Sequence, residues 1–255
     1  MRTFENPPIH YGQQFANQTL EWLPTDTEEN YKKLIQNVDY QAYIAELGWD
    51  CPGAITYKFN SQGFRADEFD DNPCMIALGC SFSIGIGLPD ETTWPRLTAA
   101  ALGLKCANLS WGGYSADSCF RLAEYWIPVL RPKYVCMLTP PRHRVEVLLD
   151  QQYATGKQLG VEVFLPESRS RVFSPNDHYL KHWFLNDENS QINHRKNTLA
   201  IRQLCSDLNI PCNIINSEKN VWHSLDTFAC ARDAMHAGPE IHNKLTEKFI
   251  NGYKK

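Results

Sequence analysis

From residue 74 onward, short strand-like runs alternate with longer helix-like stretches, and this alternation constrains the fold more than any other feature. Residues 74–79 read as a buried strand, because a short apolar run ends at a glycine. Residues 134–138 read as another buried strand, stopped by Thr139-Pro140-Pro141, and residues 105–109 and 212–215 as short strands. The stretches between and after them predict helices over 94–102, with Pro95 in the first turn, over 116–130, ended by Pro128 and Pro132, and over 195–208 and 238–253. Strands separated by helices are joined by crossovers, so they run parallel and are covered on both faces. The expected class is therefore α/β. In such sheets ligands bind beyond the carboxyl ends of the strands. Ser81, Gly112-Gly113 and Pro140-Pro141-Arg142 each follow a predicted strand, so the chemistry-bearing residues converge on one edge.

The rest of the chain departs from this rhythm. Residues 1–72 are polar and aromatic and are expected to form an N-terminal extension packed on the core, with short helices over 27–36 and 40–47. Residues 73–255 form the α/β domain. Within it, 145–194 is polar with scattered aromatics (Tyr153, Phe164, Phe173, Tyr179, Trp183, Phe184). That segment fits an insertion or lid over the sheet edge, and equally a solvated excursion with its own small apolar cluster.

Composition narrows the function classes. The 255 residues are 43% hydrophobic and 21% charged, as in soluble globular proteins. A net charge of −4 and the lack of a dense Lys/Arg patch argue against nucleic acid. No apolar run approaches the roughly 20 residues of a membrane span. The first residues lack the apolar core of a signal peptide, so a cytoplasmic location is expected. Nine cysteines, an odd number without any Cys-x-x-Cys, read as reduced, mostly buried thiols. The sequons at Asn17 and Asn108 mean little without a secretion signal.

Two remote segments carry the chemistry. Ala77-Leu78-Gly79-Cys80-Ser81-Phe82-Ser83 offers a serine just after a strand. Arg232-Asp233-Ala234-Met235-His236-Ala237-Gly238 offers a carboxylate and an imidazole three residues apart. A serine hydroxyl needs a base within hydrogen-bond reach, and the base needs a partner that fixes its tautomer. Alone, Asp-x-x-His reads as a capped turn with a surface histidine; beside Ser81 and Gly113 it reads as part of a triad. A tetrahedral intermediate also needs donors, and the backbone N–H groups of Ser81 and Gly113 are the candidates. Cys80 raises a thiol nucleophile as an alternative. His178 and His182 have the i,i+4 spacing of a metal site but no third ligand. His223 and His242 are unsupported, and no metal is expected. Gly79 to Gly87 lacks the ending of a phosphate-binding loop, and Gly85-x-Gly87 lacks the third glycine of a dinucleotide fingerprint.

Taken jointly, these blocks resemble the SGNH (GDSL-like) hydrolases. Gly79-Cys80-Ser81-Phe82-Ser83 with Gly85-x-Gly87 and Thr93-Trp94-Pro95 is similar to the first block, Asn108 to Ser115 to the second, and Arg232 to Gly238 to the last. Asn60-Ser-Gln-Gly63-Phe64-Arg65 is similar to a lead-in found in many members. The resemblance covers roughly residues 57–250. It implies a flavodoxin-like three-layer α/β/α fold with a mainly parallel five-stranded sheet, and a triad of Ser81, Asp233 and His236. It also implies esterase, lipase or carbohydrate O-deacetylase activity on a small-molecule or glycan ester, without a cofactor. Two positions depart from the pattern. Cys80 stands where the family usually has Asp. The third block reads Thr139-Pro140-Pro141-Arg142-His143-Arg144, with no Asn to donate to the oxyanion; Arg142 or Arg144 is expected to replace it or to bind an anionic group of the substrate. The rival readings are a weakly active or inactive carbohydrate-binding protein on the same scaffold, and an O-acyltransferase. Neither the substrate's two halves nor the oligomeric state is legible.

Overall fold

The computed structural model describes residues 4–51, 53–149, 160–164, 187–221 and 230–253. His178, His182, His223 and most of the segment 145–194 lie outside them. Before the sheet the chain forms a 3-10 turn at Tyr11–Phe15, then β1 (Thr19–Leu20), α1 (Glu28–Leu34), α2 (Val38–Glu46) and β2 (Tyr57–Lys58). Both helices start where the sequence supplies a cap. Thr27 accepts the Asn30 N–H, and Asn37 accepts those of Asp39 and Tyr40. β1 and β2 pair antiparallel.

The main elements follow as β3 (Cys74–Leu78), α3 (Ser81–Ile84), α4 (Trp94–Ala101), β4 (Lys105–Asn108), α5 (Ala116–Leu130), β5 (Tyr134–Leu138), β6 (Val145–Leu149), β7 (Gly160–Phe164), α6 (Asp187–Asp207), β8 (Cys212–Ile215), α7 (Ser217–Asn220) and α8 (Pro239–Tyr253). The sheet order is β4-β3-β5-β8, every pair parallel. It holds four strands among the described residues, against the five expected. Helices α4 and α8 pack together, and α5 packs with α6. The α/β class and the parallel strands are thus as the alternation implies. The order reverses at β3, so the carboxyl end of that strand, where Ser81 begins α3, lies at the switch point that favours ligand sites.

Three elements differ from expectation. Helix α6 starts at Asp187, eight residues before the predicted 195, because its first turns are polar and show no apolar period. Within the expected insertion β6 and β7 pair antiparallel. Among the described residues no helix is long and apolar enough to cross a membrane.

The residues before the sheet share its core. Tyr31, Tyr40, Ile44, Trp49, Tyr57 and Phe59 are buried in the same apolar cluster as the strands. Phe64 and Phe69 meet the Trp126 ring of α5 edge-on, at 6.0 and 5.0 Å. Seven of the nine cysteines are buried and all are free thiols, as read from the sequence.

Two buried histidines give the fold a pH dependence. His10 stacks on Phe64 at 3.9 Å, its Nδ1 accepts the Gly12 N–H, and its Nε2–H therefore donates to the Gln62 carbonyl. His242 Nδ1 accepts the Trp94 N–H at 2.8 Å. Burial lowers His10 from 6.5 to about 4 and His242 to about 3. Below 6.5 the unfolded chain binds protons that these folded rings refuse. The stability they contribute is therefore full above 6.5 and is lost as pH falls toward 4. Urea unfolding between pH 6.5 and 4.5 is expected to show stability falling by about 1.4 kcal/mol per pH unit for each histidine. A flat profile would contradict their burial as neutral rings.

Candidate active site

Ser81 is the first residue of α3, immediately beyond β3, and is buried. Among the described residues no hydrogen bond takes up its backbone N–H, as befits the open first turn of a helix. The loop after α3 is gripped by Arg65, whose guanidinium is wholly buried. It donates to the carbonyls of Ile84 (3.0 Å), Gly85 (2.7 Å), Leu88 (2.8 Å) and Thr56 (3.0 Å), and stacks over the Tyr57 ring. Arg65 belongs to the lead-in segment noted in the sequence, and its role is to fix the backbone that follows the serine.

Asp233 and His236 lie on a tight loop before α8. The Ala231 N–H donates to the His236 carbonyl (2.8 Å), Ala234 N–H to Ala231 (2.9 Å), and Cys230 bridges Ala237. This closure brings the two side chains together, with His236 Nδ1 at 2.6 Å from Asp233 Oδ2. Asp233 Oδ1 accepts the N–H groups of Met235 and His236, both at 3.1 Å. Burial on its own would raise the Asp233 carboxyl. The hydrogen bond and charge of His236, with donation from Thr25 and the Met235 N–H, outweigh burial and hold the carboxyl below its ordinary value. An ionised carboxylate only accepts, so the neutral imidazole carries its proton on Nδ1 and leaves the Nε2 lone pair available.

The serine loop and the histidine loop are joined directly. Arg232 N–H donates to the Gly87 carbonyl at 2.9 Å. Gly87 has φ +75°, and a Cβ there would meet the backbone nitrogens of Arg232 and Asp233 at 3.0 Å, so only glycine allows this approach. The Phe82 ring packs edge-on against the His236 ring at 5.0 Å. The structure therefore brings Asp233 and His236 into contact and sets the residue next to Ser81 against the imidazole. Among the described residues no hydrogen bond joins Ser81 Oγ to His236. Such bonds are often open in the absence of substrate and tighten on binding.

Gly113 stands at φ +83° in the turn between β4 and α5, and no hydrogen bond among the described residues uses its N–H. Asn108 ties that turn to α3, donating to the Ser83 carbonyl (2.9 Å) and accepting the Ser110 N–H (3.2 Å). At the end of β5, Thr139 Oγ1 accepts the Ser217 N–H, and the His194 ring of α6 hydrogen-bonds the Pro140 carbonyl. Arg142 is partly exposed, with Asp187 and Glu218 at 3.8 and 3.9 Å. Arg144 is buried. Glu146 pairs with Arg121 at 2.7 Å. Cys80 is packed in the apolar core, away from the accessible setting that a thiolate nucleophile needs. Among the described residues no group of three or more His, Cys, Asp or Glu side chains is arranged to hold a metal ion.

Residues 19–58 also reach the site, which the sequence did not signal. Thr25, Asn30 and Tyr40 all hydrogen-bond to the loop 231–233, and Asp26 pairs with Arg232.

No family model and no curated protein matches the chain. Solved structures do. The chain is similar to the crystal structure of TesA at 12% identity, over 71% of this chain and 98% of that one, with a TM-score of 0.44. It is similar to the psychrotrophic esterase EstA from Pseudoalteromonas sp. at 13% identity, over 72% and 97%, with a TM-score of 0.37. A carbohydrate esterase family 2 enzyme with a carbohydrate-binding domain, from Corynascus thermopiles (Myceliophthora fergusii), is similar at 11% identity, over 71% and 65%, with a TM-score of 0.36.

Proposed function

We propose that this protein is a serine hydrolase of carboxylic esters, with Ser81 as nucleophile, His236 as general base and acid, and Asp233 as the orienting carboxylate. The observation that carries this reading is the buried 2.6 Å Asp233–His236 pair, on a loop hydrogen-bonded to the loop that follows Ser81. In this mechanism Ser81 Oγ attacks the ester carbonyl carbon and its proton passes to His236 Nε2. The imidazolium, held through Nδ1–H by Asp233, then protonates the leaving alcohol as the C–O bond breaks. Water attacks the acyl-serine with the same ring as base, releasing the acid and restoring the hydroxyl.

The N–H groups of Ser81 and Gly113, both unused among the described residues, are the oxyanion donors in this reading. Arg142, at the same edge, contacts the oxyanion or an anionic part of the substrate. The substrate class is a small-molecule or glycan ester, as the motif resemblance implies. A second reading, ligand binding with little turnover, is favoured by Pro140-Pro141, which offer no donor at the end of β5. The loss of one oxyanion donor costs about 2.7–4 kcal/mol of transition-state stabilisation.

A fluorophosphonate probe followed by peptide mass spectrometry is expected to find the adduct on Ser81. Short-chain aryl esters and acetylated glycans are expected to be hydrolysed by the same preparation. An adduct on Ser81 without turnover favours the binding reading, and no adduct on Ser81 rejects the nucleophile.

A further inference from the structure

Thr25 lies more than 200 residues before the Asp-x-x-His loop, yet its hydroxyl reaches into it. Thr25 Oγ1 donates to Asp233 Oδ2 at 2.6 Å, the same oxygen that accepts from His236 Nδ1. Its backbone stands at φ +76°, a conformation that is costly for a β-branched residue. The turn that holds it is anchored on every side. The Leu23 N–H donates to the Asp26 carbonyl (3.1 Å), and Asn30 Nδ2 donates to the carbonyls of both Thr25 (2.9 Å) and Asp233 (3.2 Å). The neighbouring Asp26 carboxylate takes two hydrogen bonds from Arg232, the residue before Asp233.

We propose that Thr25 is a positioning residue for the Asp233–His236 pair, and that residues 19–58 therefore complete the site. Asp233 Oδ1 is fixed by two N–H groups of its own loop, but Oδ2, which orients the imidazole, has Thr25 as its one donor besides His236 among the described residues. With the hydroxyl present, rotation of the carboxylate about its Cβ–Cγ bond would break donors on both oxygens, so the plane of the carboxylate and hence of the ring is set. Without it, Oδ2 is steered by His236 alone and the imidazole can tilt with its partner. The unfavourable dihedral at residue 25 fits this role, since a strained turn persists where the surroundings require its geometry.

This inference rests on the triad reading above, and its test separates the two. The probe is an uncharged fluorophosphonate, and the readouts are its second-order labelling rate at Ser81 and the low-field Nδ1–H proton resonance of His236. Thr25→Gly removes the hydroxyl and also relieves the positive φ, so the protein is expected to melt near the wild-type temperature. Its labelling is nevertheless expected to slow by about tenfold, the worth of one hydrogen bond to a charged group, with the Nδ1–H signal broadened or lost. Thr25→Ser keeps the donor and is expected to retain both. Thr25→Ala, the second hydroxyl-free variant, carries the comparison if the glycine variant folds poorly. Wild-type labelling and an unchanged Nδ1–H resonance in folded Thr25→Gly or Thr25→Ala would overturn the proposal. Absence of the Ser81 adduct in the wild type would instead sink the hydrolase reading, and the resonance would still report whether Thr25 orders the pair.

Discussion

Ser81→Ala and His236→Ala are each expected to slow ester hydrolysis by roughly 10⁴- to 10⁶-fold, with the double variant little slower than either alone. The reason lies in how the groups depend on one another. Without the Nε2 lone pair, Ser81 is an ordinary alcohol that must lose its proton to water. Without the hydroxyl, the base has nothing to activate. The N–H groups of Ser81 and Gly113 remain in both variants, so residual turnover above the uncatalysed rate is expected from charge stabilisation alone. Asp233→Asn is expected to fall between wild type and these variants, because an amide in that position can present the wrong tautomer of His236. Steady-state kinetics on one aryl ester with wild type and the four variants checks the whole series. Additive losses in the double variant would mean that the two side chains act separately.

The largest stability effect is expected at Asp26. Its carboxylate accepts from Arg232 Nε (2.9 Å) and from a terminal guanidinium nitrogen (2.7 Å), and from the Tyr57 hydroxyl at 2.5 Å. The Arg232 side chain is 0% exposed and lies over the Trp22 ring at 4.4 Å. Asp26→Ala leaves that guanidinium buried without its counter-charge, which costs about 3–5 kcal/mol. This is a large part of the roughly 5–15 kcal/mol that holds a domain folded. Tyr57 passes the effect on, because its hydroxyl accepts the Gly87 N–H at 2.8 Å, beside the Ser81 loop. Calorimetric or urea unfolding is expected to show the full loss in Asp26→Ala and partial recovery in Asp26→Ala with Arg232→Met, which removes the stranded charge. Equal stability of Asp26→Ala and wild type would rule out this role for the pair.

The two central strands, β3 and β5, were legible because they are continuous apolar runs closed by Gly79 and by Thr139-Pro140. A buried parallel strand needs no other signal. The start of helix α6 is not legible because Asp187-Glu188-Asn189-Ser190 shows no apolar period; what holds its first half is polar, with Asn193 and Asn197 donating to Asp117 at 3.0 and 2.7 Å. In the site, Asp233 and His236 were legible because a single turn of chain brings them together. Gly113 follows a predicted strand, and its φ of +83° meets the need of the turn itself for glycine. Thr25, Asp26 and Asn30 carried no signal. They reach the site through contacts across more than 200 residues, and no local spacing encodes a contact of that reach.

The clasp between the turn at Leu23–Asp26 and the loop at Arg232–Asp233 has a kinetic consequence. Its bonds span 206 and 208 residues. Contacts of such separation close late, since the entropy of joining distant ends must be overcome before any of them forms. During refolding the sheet can gather first, while competence to react with a fluorophosphonate arrives only with the final, slowest phase.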